Sequence, residues 1–233
     1  MFLGGLQKNT LLDYPGKVAT TVFTIGCNFR CPFCYSSELV LPSKIKKQPL
    51  LSEDYFFSFL KQRVGKIDGI VICGGEPTIQ KDLIEFIKKI KNLGFLVKLD
   101  TNGYLTHILK RILKENILDY VAMDIKAPKN KYQKYSGKKI DISKIESSIN
   151  ILKSYGGKVD YEFRTTVAPG ISKEDIIKIA NWIGPAKSYF LQEFLGTKDI
   201  INPKIKNLST LTKDDIETVI KEISANFEIC KSR

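Results

Sequence analysis

Gly69-Ile70-Val71-Ile72-Cys73-Gly74-Gly75-Glu76-Pro77 reads as a continuously apolar strand that stops at two glycines, an acid and a proline. A strand apolar on both faces belongs inside a parallel sheet covered by helices. The next segment supplies such a helix, because Leu83, Phe86, Ile87 and Ile90 recur at helical spacing until Gly94 stops them. The same unit recurs in both directions along the chain. Candidate strands are Lys17–Ile25, Gly69–Cys73, Phe95–Leu99, Tyr120–Ile125, Lys158–Thr166 and Ser188–Gln192. Alternating strands and helices give βα units with right-handed crossovers, in a doubly wound sheet or a barrel.

The residues that end these strands favour the barrel. Gly74-Gly75-Glu76, Asp100-Thr101-Asn102-Gly103, Asp124-Ile125-Lys126, Arg164-Thr165-Thr166 and Gln192-Glu193 are polar or glycine-rich, and parallel barrels collect their chemistry at the C-terminal ends of strands. The expected architecture is an α/β fold, a partial (β/α)6 TIM-like barrel. It forms a single domain over residues 1–233, with its core at about 17–195 and a C-terminal helical extension at 205–233. Ser143 with Glu146, Ser172 with Asp175, and Thr212 with Asp215 read as capping boxes that start three later helices. Residues Leu41 to Pro49 read as a loop.

Composition narrows the function classes. With 43% hydrophobic and 27% charged residues the chain has globular composition, and no apolar run approaches the roughly 18 residues of a membrane span. The first residues lack the features of a signal peptide, so a cytoplasmic location is expected. The net charge of +12 is spread along the chain rather than gathered in one block, and a nucleic-acid partner is not expected. Five cysteines in an intracellular chain point to a metal or to catalysis rather than to disulfides. The one histidine, His107, lies in a helical pattern, which removes most zinc-hydrolase and Cys-His schemes.

Three of the cysteines decide more than the total. Cys27-Asn28-Phe29-Arg30-Cys31-Pro32-Phe33-Cys34 places three thiols at CxxxCxxC spacing after the first strand. Thiolates suit an iron–sulfur cluster or zinc, and a cubane held by three leaves one iron open to another ligand. A structural zinc site would need a fourth ligand, yet Cys73 and Cys230 stand alone. Cys73, on a buried strand, is expected to pack in the core, and no role is assigned to Cys230 or His107.

The cysteine motif, with an aromatic residue before its third cysteine and Gly74-Gly75-Glu76-Pro77 at the next strand end, resembles the radical S-adenosylmethionine (SAM) superfamily. The opening Gly5-Leu6-Gln7-Lys8, Leu12-Asp13-Tyr14-Pro15-Gly16-Lys17 and Gly26-Cys27-Asn28 is similar, more narrowly, to activating proteins of glycyl-radical enzymes, especially those of anaerobic ribonucleoside-triphosphate reductase. The resemblance implies one [4Fe-4S] cluster on Cys27, Cys31 and Cys34, with SAM bound at its open iron. It implies hydrogen abstraction from a glycine of a partner enzyme, with a flavodoxin or ferredoxin as electron donor. It also implies that Gly74 and Gly75 let backbone approach SAM and that Glu76 accepts from its ammonium. Asp100, Asp124 and Lys126 then surround the methionine end, and a monovalent cation sits beside the aspartates. Arg164, Asn102, Thr101 and Gln192 follow as further SAM contacts, Arg164 as a carboxylate clamp.

Two features depart from that pattern. Tyr35-Ser36-Ser37 stands where many activators have His-Asn, and no eight-cysteine insertion follows Cys34, so one cluster per chain is expected. Two rival readings stay open: a radical SAM enzyme acting on a small molecule or tRNA base, and a non-enzymatic iron–sulfur electron carrier, which leaves Gly74-Gly75-Glu76-Pro77 and Asp124-Ile125-Lys126 unexplained.

Overall fold

In the computed structural model, which describes residues 1–233, all six expected strands form. They are β2 (Ala19–Thr24), β3 (Gly69–Gly74), β4 (Leu96–Thr101), β5 (Tyr120–Asp124), β6 (Asp160–Val167) and β7 (Ala186–Glu193). Each pairs in parallel with the next. Two further strands extend the sheet. β1 (Leu3–Thr10) lies antiparallel to β2, and β8 (Phe227–Ser232) lies parallel to β7. The order runs β1 to β8 without closing, so the sheet is an open, partial barrel whose two edges are the added strands. The C-terminal extension is therefore not purely helical, since its helix hands on to β8.

The helices are α1 (Ser37–Val40), α2 (Pro42–Ile45), α3 (Glu53–Lys61), α4 (Leu83–Asn92), α5 (Thr106–Lys114), α6 (Tyr132–Ser136), α7 (Ile142–Tyr155), α8 (Lys173–Ile183) and α9 (Lys213–Ile223). None is long and apolar enough to cross a membrane. α4 buries Leu83, Ile84, Phe86, Ile87 and Ile90, each contributing about 1.5–3 kcal/mol of apolar burial. They join Ile70, Ile72, Val97, Leu99 and Phe163 from the outer face of the sheet in one core.

Two local expectations change. The 41–49 stretch is not all loop, because Pro42 opens the single turn of α2 from the first helical position, where its missing N–H costs nothing. α7 is not capped by Ser143. Asp141 takes that place, its Oδ1 accepting from Ser143 N at 3.0 Å and Ser143 Oγ at 2.6 Å, while Glu146 pairs with Lys129 instead. The boxes at Ser172/Asp175 and Thr212/Asp215 form as expected.

Inside the barrel a second, small apolar cluster of Tyr14, Ala19 and Val71 closes the N-terminal ends of the strands. Tyr14 meets Tyr120 edge-on with ring centres 5.8 Å apart. It fits because Gly69 has no side chain: a Cβ there would lie 3.0 Å from the Tyr14 ring. The opposite, C-terminal end stays open.

Candidate active site

At that open end a cavity of about 180 Å³ is walled by the loop after β2 and by the ends of β3, β4 and β5. Cys27, Cys31 and Cys34 all line it. Gly26, at φ +93°, turns the chain out of β2 into the loop. Its N–H donates to Leu39 O at 2.7 Å and its carbonyl accepts from Glu76 N at 2.8 Å. Arg30 folds back on the loop it belongs to, its Nη1 donating to Cys27 O at 2.7 Å and Phe29 O at 2.6 Å. The three-thiol loop is thus anchored to α1, to the turn after β3 and by the side chain of Arg30.

No three imidazole, thiol or carboxylate groups in the protein converge on a single ion position. The three cysteines therefore do not form the tight tetrahedron of structural zinc. Facing one cavity, they suit a cubane whose thiolates bind three different irons. Asn28 Nδ2, buried on the same loop, has no partner in the protein. Burial pushes the Cys27 and Cys31 thiols up to about 12, and it raises Cys34 as well. Phe29 N–H eases Cys27, and the Lys126 ammonium eases all three. Iron binding must displace these protons.

The glycines at the end of β3 serve the protein's own packing as well. Gly74 has φ +110°, and a Cβ on Gly75 would lie 1.9 Å from Gly26 O. The two turns touch backbone to backbone, a contact only glycine allows. Both glycines line the cavity.

Glu76 is buried and ties β3 to β4. Its Oε1 accepts from Thr78 N at 3.1 Å, Thr78 Oγ1 at 2.6 Å and Thr101 Oγ1 at 2.7 Å, and its Oε2 accepts from Asn102 N at 2.7 Å. Burial raises the carboxyl above its usual range, with these bonds opposing. Three bonds on Oε1 and one on Oε2 leave acceptor capacity only on Oε2. Asn102 extends the tie to the cysteine loop, its Nδ2 donating to Asn28 Oδ1 at 2.7 Å.

Asp100, Asp124 and Lys126 meet at the cavity wall, as their strand-end positions predict. Asp100 is only 8% exposed, so this is no solvated surface pair. Arg164 stands behind the wall. Its Nη1 reaches Asp100 Oδ2 and its Nε reaches Asp124 Oδ1, both at 2.8 Å. Lys98 Nζ holds Asp100 Oδ1 at 2.5 Å and Lys126 Nζ holds Asp124 Oδ2 at 3.1 Å. Arg164 thus engages two protein carboxylates, through Nε and Nη1. Lys98, Lys126 and Arg164 stand as cations on the two aspartates, where the resemblance implies a monovalent cation.

One placement differs from expectation. Gln192 is half-buried outside the cavity wall, where its β6 neighbour Thr166 stands instead. Cys73 packs against the small Tyr14, Ala19 and Val71 cluster, as expected, and lines the cavity as well. Lys98 and Glu162, buried on the inner face, were missed. The signal was available, because Lys98/Asp100/Asn102 and Glu162/Arg164/Thr166 are polar at every second residue, which places them on one face of a strand.

The chain is similar to known proteins over most of its length. The profile of the radical SAM superfamily matches residues 21–183. A protein of Methanocaldococcus jannaschii, named as a glycyl-radical enzyme activating enzyme, is 31% identical over 97% of this chain and 98% of its own length. The pyruvate formate-lyase-activating enzyme of Clostridium pasteurianum is 30% identical over 96% of this chain and 93% of its own. The structure of Streptococcus suis SuiB bound to S-adenosylmethionine superposes with a TM-score of 0.65 at 13% identity, over 89% of this chain and 48% of that one, a likeness of fold.

Proposed function

The chain belongs to the radical SAM superfamily, and from that membership we propose that it is a cytoplasmic activating enzyme for a glycyl-radical enzyme, anaerobic ribonucleotide reductase being the partner favoured by its opening motifs. The observation that carries the proposal is the meeting of a three-thiol loop with the Glu76, Asp100 and Asp124 strand ends in one cavity. When bound, the cluster and SAM supply the hard chemistry: an electron from a flavodoxin or ferredoxin cleaves SAM to methionine and a 5′-deoxyadenosyl radical, which takes a hydrogen atom from the partner's glycine Cα.

The chain's residues then have positioning tasks. Cys27, Cys31 and Cys34 hold the iron. Glu76 Oε2, with its spare lone pair, accepts from the SAM ammonium. Asp100, Asn102, Asp124 and Lys126 form the polar wall around the methionine end, and Arg164 fixes the two aspartates. Gln192 is the outermost candidate, reached only by a ligand that extends past Thr166. Phe29, Phe33 and Val40 in the cavity lining exclude water from the reacting atoms. No side chain need act as an acid or base, because a hydrogen atom rather than a proton is moved. The unclosed sheet offers a partner's polypeptide loop a way in.

The test is anaerobic: reconstitute the cluster, add dithionite and SAM, and assay 5′-deoxyadenosine in the wild type and in Cys27→Ala, Cys31→Ala and Cys34→Ala. Product in the wild type alone supports the reading, and a glycyl radical detected by electron spin resonance in a co-incubated reductase completes it. An iron-loaded protein that cleaves no SAM would return the chain to the electron-carrier reading.

A further inference from the structure

We propose that the ledge formed by residues 132–139 and 194–208 is a docking face for an acidic one-electron carrier protein. This rests on the activating-enzyme reading, since it concerns how an electron reaches the three-thiol loop. Both segments brace that loop directly. Arg30 N donates to Ser136 O at 2.8 Å, Asn202 N to Pro32 O at 2.9 Å, and Ile201 N to Cys34 O at 3.2 Å. The segments also converge on each other. Tyr135 OH donates to Pro169 O at 2.9 Å, and a Cβ on the adjoining Gly170 would lie 2.7 Å from Tyr135 OH and 2.9 Å from Leu208 Cδ1. The two segments thus brace one another as well as the backbone of the three-thiol loop.

The chemistry of that surface is specific. Lys134, Lys138, Lys139, Lys198 and Lys204 are exposed, and none takes part in an ion pair. Asp199 is the only acid in the two segments. The lysines of α4 are treated differently: Lys88 pairs with Glu85 and Glu115, Lys89 with Glu53, and Lys91 with Asp119. Leu195 and Leu208 on the ledge are 46% and 39% exposed. Leu195 is tied to the cysteine loop, its N–H donating to Tyr35 OH at 2.6 Å, where Tyr35 stacks on Phe194 with ring centres 5.7 Å apart. Exposed leucines among free cations match the apolar patch and charged rim of a transient protein interface. Unpaired charge of one sign steers a partner of the other sign and speeds its encounter. A polynucleotide would want open aromatic faces, yet Tyr35 is covered by Phe194 on one side and approached by Lys198 at 5.3 Å.

The experiment measures binding of an acidic flavodoxin to the purified full chain by fluorescence anisotropy at low and high salt. The variants are Lys134→Glu/Lys138→Glu/Lys139→Glu and Lys198→Glu/Lys204→Glu. Each should weaken binding by about tenfold or more at low salt, with the difference shrinking as salt screens it. Flavodoxin-driven formation of 5′-deoxyadenosine should slow in parallel while the dithionite-driven rate holds. Equal affinity in all three proteins overturns the proposal. So does an equal loss with both reductants, because dithionite needs no docking face, and so does binding of polyuridylate in preference to flavodoxin. A wild type inactive with dithionite would defeat the proposed function, while the binding comparison would still decide the docking face.

Discussion

Arg164 on β6 reaches across β5 to Asp100 on β4, its Nη1 lying 2.8 Å from Oδ2. The same guanidinium donates from Nε to Asp124 on β5 at 2.8 Å. One side chain therefore ties together three strand ends that wall the cavity. Two carboxylates so close would repel without it. Lys98 and Lys126 hold their far oxygens and complete a line of alternating charge.

Replacing the clamp should be costly. Arg164→Ala leaves two half-neutralised carboxylates, at a cost of about 3 kcal/mol, the low end for a broken buried pair because Lys98 and Lys126 remain. Arg164→Lys keeps the charge without the fork and should recover only part of the loss. Urea unfolding at neutral pH measures both, and a wild-type midpoint in Arg164→Ala would show that the clamp carries no stability.

The same pair sets an acid dependence. Burial pushes the Asp100 and Asp124 carboxyls up, but Arg164, with Lys98 or Lys126, outweighs it and holds both below the usual carboxylate range. A carboxylate depressed in the folded state adds stability above its unfolded value, about pH 4, and that stability is lost as pH falls through the folded value. The stability gap between wild type and Arg164→Ala should thus be widest above about pH 4 and narrow below it. Thermal melts across pH would show this, and a gap independent of pH would contradict it.

Because a guanidinium meets the two aspartates, SAM binding should not depend on which monovalent cation is present. Equilibrium dialysis of SAM in sodium, potassium and tetramethylammonium buffers of equal ionic strength should give one affinity. A specific rise with potassium or sodium would mean that Arg164 gives way to an ion.

Glu162 is wholly buried on the inner face of β6. It accepts from Tyr120 OH at 2.8 Å and pairs with the Arg233 guanidinium, which also lies over Phe190 at 4.3 Å. Arg233→Ala should cost about 1–3 kcal/mol, since it strips a buried carboxylate of its main partner. Adding Glu162→Gln should restore part of that loss. A double-mutant cycle in urea checks the coupling, and strictly additive effects would show that the two residues do not interact.

The expected strands and those found show what patterning can carry. Strands β2 to β7 were legible because runs such as Ile70-Val71-Ile72 are apolar on both faces, a local property. β1 reads Leu3-Gly4-Gly5-Leu6-Gln7-Lys8-Asn9-Thr10, and only pairing with β2 makes it a strand. β8 carries Glu228 and Lys231 at an edge, and it forms by pairing with β7. Such non-local ladders leave little mark on a window of sequence. The candidate site divides in the same way. Its cysteines and strand-end acids were visible as residue types at strand ends. That Arg164 serves protein aspartates, that Glu76 spends most of its acceptors on loops, and that Cys73 faces inward all depend on which groups the closed turns bring within reach.

Gly75 gives the sharpest geometric test. A Cβ there would sit 1.9 Å from Gly26 O, and both partners are backbone at turns, so neither can swing aside as a side chain would. Gly75→Ala must therefore separate the β3 turn from the one that launches the cysteine loop, breaking the 2.8 Å bond from Glu76 N to Gly26 O. A cost of about 2–3 kcal/mol follows from such overpacking, together with poorer iron loading, because Cys27 adjoins Gly26. Gly157→Ala is the control, since nothing lies within 4 Å of its added Cβ. Thermal melts and iron content per chain, measured on both variants, separate the outcomes. If Gly75→Ala matches Gly157→Ala in both, the backbone contact does not hold the cysteine loop in place.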